Sequence, residues 1–439
     1  MKRYFALILT FALALTLLTS CELMVPGPTE RPSIGPPAEP TEAVTPAPLP
    51  TVGLTPPSFV PAEYDPRYDD DPNFVFYPRG NMCATEDTFY FAYSDTKIGQ
   101  VYHETICFLD KAGGYVGPLC GKPECAHDNA DCNAYINGES HGLSIYDGRL
   151  YWMAEPNTYG IPPGIYSAAL DGTDRRLVRE LDKKLVPGSE FSGIFHRGWF
   201  YLAGCSYSVV DGKASHDIHV IAWPLDSDEP PVVILDTSMG SAAYDFSIQG
   251  YGDGIYIFVR NGYEGTLTIA RWSPETRALE TFYQGENPDR YGGGMYYTVR
   301  EDGIFFVDVI NPGGPDDFRC ALYRYDFASG DFEMNTDFET PYTKYGIRHS
   351  WVISDDLLVM AELLENGELT VMAVDFKGNI HLDQTCQIEA GLSSWVCTYL
   401  GRDETNLYLY RSNNPKMVIA VALDGSGAKV LWDSDQGVH

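Results

Sequence analysis

The stretch "YDGRLYWMA" (146–154) holds a turn containing Asp and Gly, followed at once by a short aromatic-rich strand. The same arrangement recurs along the chain. The strands are "TFYFAY" (88–93), "RLYWMA" (149–154), "WFYLAG" (199–204), "IYIFVR" (255–260), "IFFVDV" (304–309), "LLVMAE" (357–362) and "LYLYRS" (407–412). The turns before them read "TED", "YDG", "HRG", "GDG", "EDG", "SDD" and "DETN". Successive strands lie about 50 residues apart, a period that for β-rich units marks a propeller. Long amphipathic helical patterns are missing, while 30 Tyr and 21 Phe feed the short alternating runs.

Each unit has internal order. A second strand ends in a polar turn, as in "IYSAALDGTDRRLV" (165–178) and "VIAVALDGSGAKVL" (418–431). Asp-Gly and Ser-Gly there supply the positive φ of tight hairpins. A short strand closes that hairpin. A fourth, such as "LSIY" (143–146), "SGIF" (192–195) or "WVCTYL" (395–400), runs just before the next turn. Four antiparallel strands in seven units give an all-β, seven-bladed β-propeller; the weaker aromatic character of the "SDDLLVMAE" unit leaves six or eight blades open. Counted this way, the last unit ends at "AKVLWD" (428–433) without its fourth strand. "NFVFYPRGNMC" (73–83) is then expected to complete it and close the ring.

The chain before the repeat is organised differently. Lys2 and Arg3 precede an apolar run, Phe5 to Leu18, too short to span a bilayer, which ends in "LTSC" at Cys21. These are the features of a lipoprotein signal over 1–21, in which Cys21 is lipidated and holds the protein on the extracytoplasmic face of the cell membrane. Residues 22–72 carry 14 of the 30 prolines and few large apolar side chains, the composition of a disordered, extended tether. The propeller occupies 73–433, with a tail at 434–439.

A formal charge of -31 repels phosphate backbones, so a nucleic-acid partner is not expected. The expected partners are the membrane, through the anchor, and a protein or glycan ligand bound by a monomer. "RYGGGMYY" (290–297) lacks a P-loop lysine and reads as a loop entering a strand. "DPRYDDDP" (65–72) reads as an acidic linker end, and His196 and His349 as packing or surface residues.

The sharpest local signal is "LCGKPECAHDNADC" (119–132), within an insert at 117–135 between the third and fourth strands of blade one. Three readings of it stand. Cys120, Cys125, His127 and Cys132 suit a structural tetrahedral zinc, with an H-x4-C end like that of zinc knuckles but without their C-x2-C start. Alternatively one of Cys120, Cys125 and Cys132 forms a disulfide with Cys83, as befits an exported chain. A reactive thiol acting in redox or metal sensing is the third. Cys107, Cys205, Cys320, Cys386 and Cys397 lie among strands, where cysteine acts as a small apolar side chain.

The hairpins "GIYSAALDGTDRRLV" and "VIAVALDGSGAKVLW" resemble the YR-x-x-LDG hairpin of YWTD-like and TolB-like extracellular propellers. With the "LTSC" signal, the Pro-rich spacer and a C-x-x-P-x-C-x-H insert in the first blade, the chain is similar to a family of Firmicutes lipoproteins of unknown function. That resemblance implies architecture and location, and no activity. The residues themselves favour a binding or scaffold protein. A glycan- or peptide-active hydrolase or lyase on the same fold is the alternative, and a metal or redox sensor a third.

Overall fold

The computed structural model describes residues 82–94, 103–137, 140–154, 162–182, 190–210, 213–238, 244–261, 265–286, 296–310, 319–339, 351–353, 357–388, 395–411 and 416–434. The signal segment, Cys21, the spacer and His349 lie outside them. The described residues form seven four-stranded antiparallel blades and no α-helix.

Blade one holds β1 (Met82–Ala84), β2 (Thr88–Ser94), β3 (His103–Asp110) and an outer strand in two pieces, β4 (Val116–Pro118) and β5 (Tyr135–Asn137). Blade two is β6 (Ser140–Tyr146), β7 (Arg149–Ala154), β8 (Gly164–Ala169) and β9 (Arg176–Glu180). Blade three is β10 (Glu190–His196), β11 (Trp199–Val210), β12 (Lys213–Pro224) and β13 (Val232–Ser238). Blade four is β14 (Tyr244–Tyr251), β15 (Gly254–Asn261), β16 (Thr266–Trp272) and β17 (Leu279–Glu286). Blade five is β18 (Tyr296–Arg300), β19 (Gly303–Ile310), β20 (Arg319–Asp326) and β21 (Phe332–Glu339). Blade six is β22 (Trp351–Ile353), β23 (Leu357–Leu363), β24 (Glu368–Asp375) and β25 (Ile380–Gln387), and blade seven β26 (Trp395–Arg402), β27 (Asn406–Arg411), β28 (Met417–Ala422) and β29 (Ala428–Asp433).

The strand that precedes each Asp/Gly turn therefore opens a blade and does not end the previous one. Asp147 (φ 45°) with Gly148 (φ 67°), and Arg197 (φ 45°) with Gly198 (φ 79°), form two-residue hairpin turns. Tyr146 consequently pairs with Arg149, and His196 with Trp199. Both central residues at positive φ match the right-handed twist of the strands they join. This phase corrects the expected ring closure. Blade seven has four strands of its own, and Met82–Ala84, the described end of the predicted closing segment, pairs with β2 inside blade one. Residues 73–81 lie outside the described set.

Closure comes instead from side chains. Each blade is apolar on both faces, so alternate residues enter different cores: Phe89 and Phe91 pack toward blade seven, Tyr90 toward blade two. Seven such clusters exist, each shared by two neighbouring blades, and the last joins blade seven to blade one. At that seam Phe89 meets Tyr408 edge-on at 5.0 Å, and Phe91 and Tyr93 meet Trp432 at 5.4 and 5.8 Å. Lys111 sits over the rings of Phe89 and Tyr408, 4.5 and 5.1 Å from their centroids, and its Nζ donates to Thr85 O at 2.7 Å.

A second tier lies at the outer rim. Blades two to seven each carry one extra residue in the outer strand: Val178, Ile234, Phe282, Asn335, His381 and Leu431. Several of these bulges receive the outer turn of the next blade. A Cβ on Gly378 would lie 2.7 Å from Thr336 Oγ1, and one on Gly114 2.9 Å from Leu431 O. Tyr325 Oη donates to Phe282 O at 3.3 Å, and Arg179, next to Val178, donates to Glu229 O at 2.8 Å.

Truncating the seam tests side-chain closure. Trp432→Ala is expected to lower unfolding free energy by about 3–5 kcal/mol in a denaturant titration. A loss within the scatter of surface substitutions would mean that the ring is held elsewhere.

Candidate metal centre

The outer strand of blade one is interrupted at one residue of its partner. β4 pairs with residues 107–109 of β3, and β5 with residues 103–105. Between them Ile106 bridges both ends of the excursion: its carbonyl accepts from Leu119 N and its amide donates to Ala134 O, each at 2.8 Å. The Cys/His segment thus splits the fourth strand, whereas the expectation placed it between the third and fourth. It occupies the position at which the other outer strands bulge.

Local backbone geometry folds the excursion inward. Cys120 N bonds Pro118 O at 2.8 Å, Cys132 N bonds Asn129 O at 3.0 Å, and Asp131 N bonds the Asn129 side chain at 2.9 Å. Lys122 Nζ ties the two arms together by donating to Asp131 O. Glu124 (φ 61°) and His127 (φ 56°) flank Cys125 in the left-handed region. Non-glycine residues held there are costly and persist where surrounding contacts fix them. Asp147, Asp174, Arg197 and Arg277, also at positive φ, lie in the turns that join blade strands.

The structure brings all four predicted ligands together. One ligand atom from each of Cys120, Cys125, His127 and Cys132 lies within 4.8 Å of the others, and His127 Nδ1 is 3.3 Å from Cys132 Sγ. Around a tetrahedral zinc with Zn–S of about 2.3 Å, sulfurs stand roughly 3.7 Å apart, so sub-ångström to one-ångström shifts suffice. Three thiolates and an imidazole are a donor set that zinc favours. Cys132 is buried and the other three are half-buried.

The electrostatics differ within the cluster. For Cys120, burial opposes ionisation, but the amides of Lys122 and Asn133 and the thiols of Cys132 and Cys125 outweigh it, and the pKa falls below the ordinary thiol value. Burial, with Cys120 close by, pushes Cys132 up to about 12 despite the Ala134 amide. A bound cation would displace the proton that Cys132 otherwise keeps. The amides aimed at the sulfurs act like the outer hydrogen bonds that orient metal ligands.

Cys83 lies in the blade-one strand β1 opposite Tyr90, in the core that also contains Cys132, and no disulfide joins any of the described cysteines. Cys107, Cys205, Cys320 and Cys397 are buried in blades, and burial raises Cys397 to about 12, consistent with inert apolar packing. His196 is buried with Nε2 2.9 Å from Gly252 O, a packing role.

Residues beyond the cysteine motif complete the arrangement. Arg175, from the outer turn of blade two, donates to three carbonyls of the excursion: Cys132 O at 2.6 Å, Ala130 O at 2.5 Å and Tyr135 O at 3.2 Å. Asn133 Nδ2 bonds Gly172 O at 2.7 Å. A Cβ on Gly172 would lie 2.6 Å from the Leu119 backbone, so only glycine lets the two segments meet this closely. The excursion therefore clamps blade one to blade two. Arg175 and Gly172 carried no motif signal; the one clue was their place in the "LDGTDR" turn (170–175).

Fold and site together define a seven-bladed β-propeller with a three-cysteine, one-histidine cluster in the outer strand of its first blade. No protein-family model matches the chain, and no curated protein does. Among solved structures it is similar to the acylaminoacyl peptidase of Pyrococcus horikoshii (13% identity, 83% of this chain and 53% of that one, TM-score 0.47). It is also similar to the periplasmic gluconolactonase of Pseudomonas aeruginosa (12%, 79% and 96%, 0.47) and to a protein from Lactobacillus plantarum (14%, 80% and 96%, 0.45). The chain spans about half the length of the peptidases it matches. The propeller assignment rests on the strand topology and the seven interfaces of the chain itself.

Removing the guanidinium tests the clamp. Arg175→Ala should cost about 1–3 kcal/mol, since three buried or half-buried carbonyls lose a charged donor. Hydrogen exchange at 119–136 should rise, with Arg175→Lys recovering only part because it lacks the planar fork. Unchanged exchange in Arg175→Ala would exclude the clamp.

Proposed function

We propose that this protein is a lipid-anchored, extracytoplasmic propeller that binds a protein or glycan partner, with a structural zinc in its first blade. The observation that carries the reading is the convergence of Cys120, Cys125, His127 and Cys132 at the outer edge of the ring. Their carrier segment grips the neighbouring blade through backbone carbonyls. A metal there would fix a loop that has no core of its own, which is a stabilising role. When bound, zinc would supply four ligand bonds to the excursion in place of a hydrophobic interior. The propeller would present its partner-binding loops from a rigid frame, as loops on such scaffolds commonly do. The "LTSC" signal and the Pro-rich spacer support a location at the membrane surface.

Metal analysis of the full chain is expected to find one zinc per molecule. Thiol titration should gain the three cluster cysteines, Cys120, Cys125 and Cys132, only on chelation, and chelation should lower the melting temperature. Absence of metal together with an oxidised Cys83 would replace zinc by a disulfide.

The anchor and the partner are tested together. Full-length protein should fractionate with membranes and take up labelled fatty acid, and Cys21→Ser should abolish both. In-cell cross-linking of the anchored protein should recover one reproducible protein or glycan partner. Its absence at saturating cross-linker would remove the binding role.

A further inference from the structure

Blade three assembles a constellation drawn from three adjacent strands. Ser206 lies on β11, His219 on β12 and Asp236 on β13. In the ladder His219 stands opposite Gly204 on one side and Asp236 on the other, and Ser206, opposite Asp217, is two pairs farther along β11 on the same face. Ile218 and Val220 enter the core shared with blade four, so His219 faces the opposite way. Gly204 offers no side chain opposite the imidazole, which leaves room for the ring to lean toward Ser206.

Ser206 Oγ lies 3.2 Å from His219 Nε2, and Asp236 Oδ1 lies 3.0 Å from His219 Nδ1. A ring nitrogen facing a carboxylate carries the proton, so Nδ1–H donates to Asp236. Nε2 is then left as an acceptor for the Ser206 hydroxyl. This is the order that activates a serine: nucleophile, base, and a carboxylate that orients the base. Ser206 and His219 are half-buried and Asp236 is exposed, so the three side chains lie at the solvent-facing part of the blade.

We propose that Ser206, His219 and Asp236 form a nucleophilic site that hydrolyses small carboxylic esters with good leaving groups. Ser206 Oγ attacks the ester carbonyl carbon while its proton passes to His219 Nε2. The bond to the leaving oxygen breaks, and the departing alcohol takes that proton. Water, deprotonated by the same imidazole, then attacks the acyl-Ser206 carbonyl, releasing the carboxylic acid and restoring the hydroxyl. The exposure of Asp236 sets the substrate class. A carboxylate open to water gives a weaker field than a shielded one, so amides, with their poor leaving groups, fall outside its reach.

The test treats the full chain, in detergent, with a fluorophosphonate probe and maps the adduct by mass spectrometry. A phosphonyl group on Ser206 is expected, together with turnover of p-nitrophenyl acetate. Ser206→Ala should lose both, and His219→Gln should slow labelling about 100-fold or more. Asp236→Asn should slow it by a smaller factor, because water replaces part of the exposed carboxylate. Melting temperatures should be unchanged, which separates chemistry from a sheet-packing role. Should Ser206→Ala and His219→Gln both misfold, protection of Ser206 in the parent chain by p-nitrophenyl acetate decides, and its absence overturns the site. No adduct at Ser206, or labelling at the parental rate in His219→Gln, overturns it equally.

Discussion

A ring of blades in which the described strands are shared by no two ends must be held shut by side chains alone. That constraint falls on the seam between blade seven and blade one. Phe89, Phe91 and Val116 on one side meet Tyr408, Val418 and Trp432 on the other, capped by Lys111. The hydrophobic effect is non-directional, so this seam gains its geometry from ring shape and edge-on aromatic contacts. The same requirement operates at the other interfaces, although β23 and β26 also pair over two residues between blades six and seven, and it explains the composition. Each strand must be apolar on both sides, so aromatic residues occupy odd and even positions alike. A sheet with one wet face would alternate apolar with polar instead.

The excursion in blade one belongs to the same scheme. Elsewhere an outer strand bulges and the next blade's turn settles against it. In blade one the strand breaks altogether, and Gly172 and Arg175 of the next turn settle against the excursion. The Cys/His cluster is thus the most elaborate form of a contact repeated around the rim. Four ligand-type residues at the free side of that contact make its rigidity depend on their chemistry, where other junctions depend on backbone shape.

Much of this was legible in the residues. Seven aromatic strands behind Asp/Gly turns pointed to seven blades, because both-sided burial leaves a periodic mark. The phase was not legible from apolar runs: "LSIY" (143–146) looks the same whether it ends one blade or opens the next. Two positive-φ residues between Tyr146 and Arg149 decide it, and Asp-Gly there was the available clue. The four candidate ligands were visible as a cluster, since they lie close in sequence. The break in the outer strand was not, because β4 and β5 are three residues each, too short to register as periodicity. Ser206, His219 and Asp236 left no trace, since cross-strand neighbours are set by register and share no motif spacing.

The bulges have a further consequence for how such molecules behave side by side. A propeller leaves one outermost strand per blade with an unpaired row of amides and carbonyls facing outward. Six of these carry an extra residue at the equivalent point, and exposed apolar side chains such as Leu177, Val233, Met334 and Ile380 stand directly beside it. A bulge twists the strand and spoils the straight ladder that another chain would need for pairing. Sticky side chains are therefore placed where backbone docking is already blocked, so neighbouring copies slide past one another without fusing into a continuous sheet.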